Sequence, residues 1–107
     1  MNSARRFTKS HEWIEVHGVK GVIGITRYAQ KELGEIVYIE LPKVGQVLQA
    51  GGEACVLEST KAAADVYSPV SGTVVAVNEA LVSAPQRLNQ DPESSAWLFQ
   101  IELSRPQ

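Results

Sequence analysis

Cysteine, methionine and histidine are scarce: the 107 residues hold one, one and two. A single cysteine, Cys55, excludes an internal disulfide framework and any multi-cysteine zinc site. His11 and His17 have no second cysteine or suitably spaced partner, so the pattern does not support metal ligation. There is also no nucleophile, base and orienting group in the pattern of an independent enzyme. Positive charge is not in excess: ten Lys+Arg stand against twelve Asp+Glu, a formal charge of −2, and the pI is about 5.6. A protein that binds nucleic acid by neutralising phosphates would be basic. No apolar run approaches the roughly 18 residues of a membrane span. The opening MNSARRFTKS has two arginines but no apolar stretch behind them. It does not read as a secretory signal and is too short for a transit peptide. What is present, 44% apolar and 21% charged residues, is the composition of a soluble globular chain with one core, so residues 1–107 are expected to form a single domain.

Short segments of β-formers alternate with turn signals. Strands are predicted at Glu12–His17, Lys20–Ile25, Ile36–Leu41, Ala54–Ser59, Ala64–Tyr67, Gly72–Val77 and Trp97–Leu103. In the last of these, Trp97, Phe99, Ile101 and Leu103 share one parity, which predicts one buried face. Thr26–Gly34 breaks the β pattern. Thr26 suits a helix N-cap, Gly34 suits the residue after the helix end, and Ala29 and Leu33 lie four apart on one face. Residues up to Phe7 read as loose. Asn78–Ser95, with Pro85 and Pro92, reads as a long surface loop carrying one helical turn. Leu41–Gly52 and Ser68–Ala76 both run through a Gly-containing turn into an apolar strand, a weak sign of two related halves. The core is expected to draw on Trp13, Ile25, Leu33, Val56, Val74, Trp97 and Phe99. Cys55, between apolar strand neighbours, reads as an inert core thiol. Gly51-Gly52 reads as a turn and not a phosphate-binding loop.

The most informative stretch is GEACVLESTKAAADVYSPVSGTVV, residues 52–75. Apolar β-formers resume on both sides of Lys61, which places it near the tip of a hairpin. A tip lysine projects into solvent, and Ala62–Ala64 leave its ammonium sterically open to another protein. Taken alone, such a lysine reads as a charged turn residue that keeps the hairpin soluble.

Its neighbourhood adds a second reading. Glu58-Ser59-Thr60-Lys61-Ala62 followed by Ser68-Pro69-Val70-Ser71-Gly72 resembles the lipoyl-attachment hairpin of swinging-arm carrier domains. The chain is more similar still to one family of that group, the H proteins of the glycine cleavage system. The resemblance runs through Ser10-His11-Glu12-Trp13, Gly24-Ile25-Thr26, Tyr28-Ala29-Gln30 and Leu33-Gly34-Glu35. It continues through Leu41-Pro42, Gly45, the lysine hairpin with Asp65, Val77-Asn78 and Trp97-Leu98-Phe99. It covers residues 7–103.

The resemblance implies a mostly β barrel-sandwich hybrid of the lipoyl/biotinyl-carrier kind, with one short helix near residues 26–34. It implies lipoic acid in amide linkage to Lys61, which removes the lysine's charge and gives an arm with a reach on the order of 14 Å. The implied partners are a pyridoxal-phosphate glycine decarboxylase, a tetrahydrofolate-dependent aminomethyltransferase, a flavin dihydrolipoamide dehydrogenase and a lipoate-attaching enzyme. The carrier contributes tethering and no base or nucleophile of its own. It would act as a monomer, in the cytoplasm of a bacterium or the mitochondrial matrix of a eukaryote.

Glu12, Asp65 and Tyr28 match family positions near the arm's resting cleft. Glu12 reads either as an ion-pair partner for the cationic cargo or as a solvated strand residue. Asp65 reads either as a cleft acid or as a hairpin stabiliser that bonds backbone amides. Tyr28 reads as cleft lining or helix packing, and Glu58 as a recognition contact for the attaching enzyme or part of the solvated hairpin. Trp13 and Trp97 read as core aromatics.

Other carrier types fit less well. Biotin domains typically flank their lysine with methionine, whereas Thr60 and Ala62 stand here. Lipoyl modules of 2-oxo acid dehydrogenases lack the HEW and TRYAQKELG segments. A second function is a lipoyl relay or donor, or a regulatory interaction protein, that does not run glycine cleavage. Relatives typically continue into a C-terminal helix, while this sequence stops at Ser104-Arg105-Pro106-Gln107, and Glu93–Ala96 lacks a glycine often found there.

Overall fold

The computed structural model describes residues 5–104. In chain order these form β1 (Arg5–Phe7), β2 (Glu12–His17), β3 (Lys20–Ile25), α1 (Arg27–Leu33), β4 (Ile36–Glu40) and β5 (Val47–Leu48). There follow β6 (Glu53–Ser59), β7 (Ala63–Tyr67), β8 (Gly72–Val77), α2 (Ala80–Ser83), α3 (Arg87–Gln90) and β9 (Phe99–Leu103). The strands make two antiparallel sheets, β1-β2-β3-β9-β8-β5 and β4-β6-β7. This is the mostly β, sandwich-like fold expected, with its short helix at 27–33. The core lies between the sheets. Ile14, Ile23, Val74, Phe99 and Ile101 enter it from the larger sheet, and Ile36, Ile39, Cys55, Leu57 and Val66 from the smaller. The two Gly-containing turn segments meet: Gly51 N donates to Ser68 O at 2.7 Å, and Ser68 N donates to Gly52 O at 2.9 Å.

Several expectations are corrected. Arg5–Phe7 is not loose but a strand paired with β2; residues 1–4 lie outside the described region. Arg5 holds this strand down through Glu15 (2.8 Å), the Glu93 carbonyl (2.7 Å) and the Trp13 ring, 4.1 Å from the guanidinium carbon. The segment after Asn78 is not a surface loop with one helical turn. It holds two one-turn helices that drive Leu81, Leu88 and then Pro92 fully into the interior. Strand β9 starts at Phe99, two residues later than predicted. Turn residues occupy 92–96, and just after them Asn78 Nδ2 donates to the Trp97 carbonyl (2.8 Å) and Leu98 N donates to Ile23 O (2.8 Å). Leu98 is therefore buried while Trp97 is only half-buried. Val56 and Leu33 are likewise half-buried.

Trp13 is buried, but outside the main core. It lies across from Gly24 on β3, donates from Nε1 to Pro92 O at 3.0 Å, and is covered by Arg5. A Cβ on Gly24 would stand 2.7 Å from the indole ring, so only glycine leaves the space the ring occupies.

Candidate functional site

The β6–β7 hairpin pairs Cys55↔Val66 through Glu58↔Ala63 in one register, with a bulge between Cys55 and the Glu53↔Tyr67 pair at its base, so its turn is Ser59–Ala62 and Lys61 stands in it. Ser59 N donates to Ala62 O at 2.7 Å. Ser59 Oγ accepts from Lys61 N (3.2 Å) and Ala62 N (3.0 Å). One serine thus satisfies the turn's inward amides, as short polar side chains do in tight turns. Lys61, Ala62 and Ala63 are exposed. Neither the Arg5–Glu15 ion pair nor the His17–Glu15 contact involves Lys61. Its amine is an open primary amine on a hydrogen-bonded turn.

The turn rests on the end of α1. Thr26 Oγ1 accepts from Ala29 N at 3.1 Å, and Gly34 N closes the helix on Gln30 O at 3.0 Å, so both predicted caps are in place. Gly34 has φ 87° and ψ −154°, a conformation open to glycine and almost nothing else. Thr60 N donates to Glu35 O at 3.0 Å. The Lys61 stem passes over Gly34, where an added Cβ would lie 3.3 Å from Lys61 Cε.

Glu12 is only 2% exposed. Its Oε1 accepts from Thr8 Oγ1 (2.6 Å) and Ser10 Oγ (2.9 Å), and Oε2 accepts from Tyr67 N (3.2 Å). Burying a carboxylate requires such donors. The residue is not a solvated strand position but the anchor for the base of the hairpin, about 16 Å of strand away from the lysine turn. Asp65 is exposed on β7 opposite Val56, and the turn amides of Lys61 and Ala62 are bonded by Ser59. Tyr28 is 56% exposed, with its ring 4.6 Å from that of His11, so it does not pack the helix against the core. Glu58 is exposed, opposite Tyr38 and Ala63. Burial pushes the Cys55 thiol well above its ordinary range, which disarms it as a nucleophile. No group of His, Cys, Asp or Glu among the described residues could hold a metal ion, and no described helix is long and apolar enough to cross a membrane. A groove of about 760 Å³ lies elsewhere, lined by Ile14, Val16, Val70 and Leu103 among others, and includes no residue of the lysine turn.

The sequence pattern marks the lysine, while the part played by Ser59 emerges only from the folded turn. A serine two residues before the lysine, at the end of a strand, is the local signal that suits such a turn-closing hydroxyl.

The family model described as glycine cleavage H-protein matches residues 5–107. The glycine cleavage system H protein of Paramagnetospirillum magneticum is 54% identical over 104 residues, which is 97% of this chain and 83% of that protein. That of Thermotoga maritima is 46% identical, over 94% of this chain and 81% of its own. The crystal structure of a glycine cleavage system H protein from Mycobacterium marinum superposes with a TM-score of 0.91 at 33% identity, covering 100% of this chain and 89% of that one.

Proposed function

Because the chain belongs to the glycine cleavage H-protein family, we propose that it is the carrier of that system and bears a lipoyl group in amide linkage on Lys61. The observation that supports this reading is the open Lys61 amine on a turn closed by Ser59. The residues present fit the group. Among the described residues the amine is exposed and in no ion pair, its neighbours Ala62 and Ala63 are small, and the turn is held from both sides. When attached, the lipoyl dithiolane supplies the chemistry, taking up the aminomethyl group of glycine together with the reducing equivalents.

The chain's own residues present and orient. The Ser59 bonds fix the direction in which Lys61 leaves the hairpin, and the alanines leave room for an attaching enzyme's active site. Glu58, exposed three residues before the lysine, is the contact proposed for that enzyme. Asp65 and Tyr28 are the exposed residues proposed to meet the arm, while Glu12 serves the base of the hairpin. The proposed partners are the pyridoxal-phosphate decarboxylase, the tetrahydrofolate-dependent aminomethyltransferase and the flavin dihydrolipoamide dehydrogenase. Tethering raises the effective concentration of the arm at each. The protein is then a substrate for these enzymes and not itself a catalyst.

The test is mass spectrometry after incubation with a lipoate-attaching enzyme. One lipoyl group is expected, mapping to Lys61 and absent from Lys61→Arg. Modification of Lys9, Lys20, Lys31 or Lys43, or signal that survives in Lys61→Arg, would overturn the assignment. Loaded protein that fails to support glycine-dependent CO2 release with the three partner enzymes would point to a relay role.

A further inference from the structure

Asn89 lies far from Lys61 in sequence, yet its side chain makes three hydrogen bonds to the segment that the lysine turn touches. Nδ2 donates to Gly34 O (2.7 Å) and to Gln30 Oε1 (2.7 Å), and Oδ1 accepts from Ile36 N (2.8 Å). Gly34 O belongs to the residue that ends α1, where carbonyls have no partner within the helix. Ile36 N is the first amide of β4. The amide of Asn89 therefore stands in for a peptide unit and closes the three-residue bend Gly34-Glu35-Ile36 from one side.

The other side of that bend carries the lysine turn. Glu35 O accepts from Thr60 N at 3.0 Å, and the Lys61 stem lies over Gly34. A continuous path thus runs from Asn89 through the bend to Thr60 and Lys61. We propose that Asn89 is a positioning residue for Lys61: it holds the bend on which the lysine turn rests, and so fixes how the amine is presented to an attaching enzyme. The proposal rests on Lys61 being the modified residue.

The chemistry of the side chain is specific. Asn89→Asp keeps the acceptor for Ile36 N but turns a carboxylate oxygen toward Gly34 O; Gln30 can rotate its amide to donate, whereas the Gly34 carbonyl can only accept. Asn89→Ser is too short to span all three partners. In either variant the Ser59 bonds remain, so the hairpin persists while its platform loosens. Misplacement of a reacting group by about 1 Å can reduce rates by as much as a hundredfold, and a loosened turn is misplaced only part of the time. A fall of about tenfold in kcat/KM for modification is the expected scale.

The experiment measures lipoate attachment kinetics on full-length wild type, Asn89→Asp, Asn89→Ser and Ile101→Val, a mildly destabilising change in the larger sheet. Amide exchange at Thr60 is followed in the same proteins. The expected result is slower modification and faster Thr60 exchange in the folded Asn89 variants, with Ile101→Val at the wild-type rate. Asn89 variants that are folded and modified as fast as Ile101→Val would overturn the proposal. Exchange in the unaltered protein is a second measurement that needs no variant. Ile36 and Thr60 are expected to open in one common event, and opening of Thr60 independently of Ile36 would overturn the platform. If wild type is not modified at Lys61 at all, the carrier reading fails, while the exchange comparison still decides whether Asn89 holds the turn.

Discussion

At the scale of single residues, the hairpin depends on two polar side chains with opposite duties. Ser59 ties the turn from within, through bonds any short hydroxyl residue could make locally. Glu12 ties the base from outside, and its burial makes it the more sensitive. Removing a buried charged acceptor strands its donors: Tyr67 N would lose its carboxylate partner, as would the hydroxyls of Thr8 and Ser10. Glu12→Ala is expected to lower stability by about 1.5–3 kcal/mol, the range for hydrogen bonds to charged groups. Glu12→Gln is expected to lose roughly 1 kcal/mol or less, because its amide oxygen can still serve Tyr67 N and the two hydroxyls can reverse. Urea denaturation of the three proteins checks the order. Equal stability in all three would show that the anchor contributes nothing.

At the scale of elements, the meeting of α1, β4 and the β6–β7 turn is the decisive junction. Gly34 lets the helix end, lets the chain bend into β4, and leaves space for the Lys61 stem. Gly34→Ala meets two obstacles at once. Its φ of 87° and ψ of −154° are strained for any residue with a Cβ, and the new methyl group would press on Lys61 Cε. The lysine stem is flexible and can move aside, so the backbone strain dominates. A loss of about 1–3 kcal/mol is expected, read as a lower urea midpoint with an unchanged slope. A midpoint equal to wild type would mean the junction relaxes without strain.

At the scale of the whole molecule, the lysine turn stands apart from the core, while a titratable group sits within it. Cys55 lies between the sheets, and burial raises its thiol from an ordinary pKa of 9.0. A group whose pKa is raised by folding stabilises the native state fully below its unfolded pKa and progressively less above it. Stability is therefore expected to hold at neutral pH and to fall as pH rises beyond about 9, since the unfolded chain can ionise the thiol and the folded one cannot. Cys55→Ala removes this contribution. The gap in urea midpoint between wild type and variant should narrow from neutral to alkaline pH, and a gap independent of pH would refute the linkage. The same burial predicts that alkylating reagents label Cys55 only as fast as the protein opens.

Chemistry carried by near neighbours was determined by the sequence alone. The helix at 27–33 was legible because both its caps, Thr26 and Gly34, adjoin it. The lysine turn was legible because β-formers flank it and small residues follow it. Most strand bounds followed from local alternation. What tertiary structure decided lies in contacts between residues distant along the chain. Arg5 reaches the carbonyl of Glu93, Trp13 that of Pro92, Glu12 the amide of Tyr67, and Asn89 the end of α1. No local pattern marks an arginine near the start as the clasp of a strand, or an asparagine in a Pro-flanked polar stretch as the support of a helix end. Leu81 and Leu88 looked like loop residues because four-residue helices are too short to show a period. They become core only when the space between two sheets is there to receive them. The alternation at Trp97 failed for the same reason: a backbone bond from Leu98 to Ile23 outweighs side-chain parity, and that partner stands on another strand.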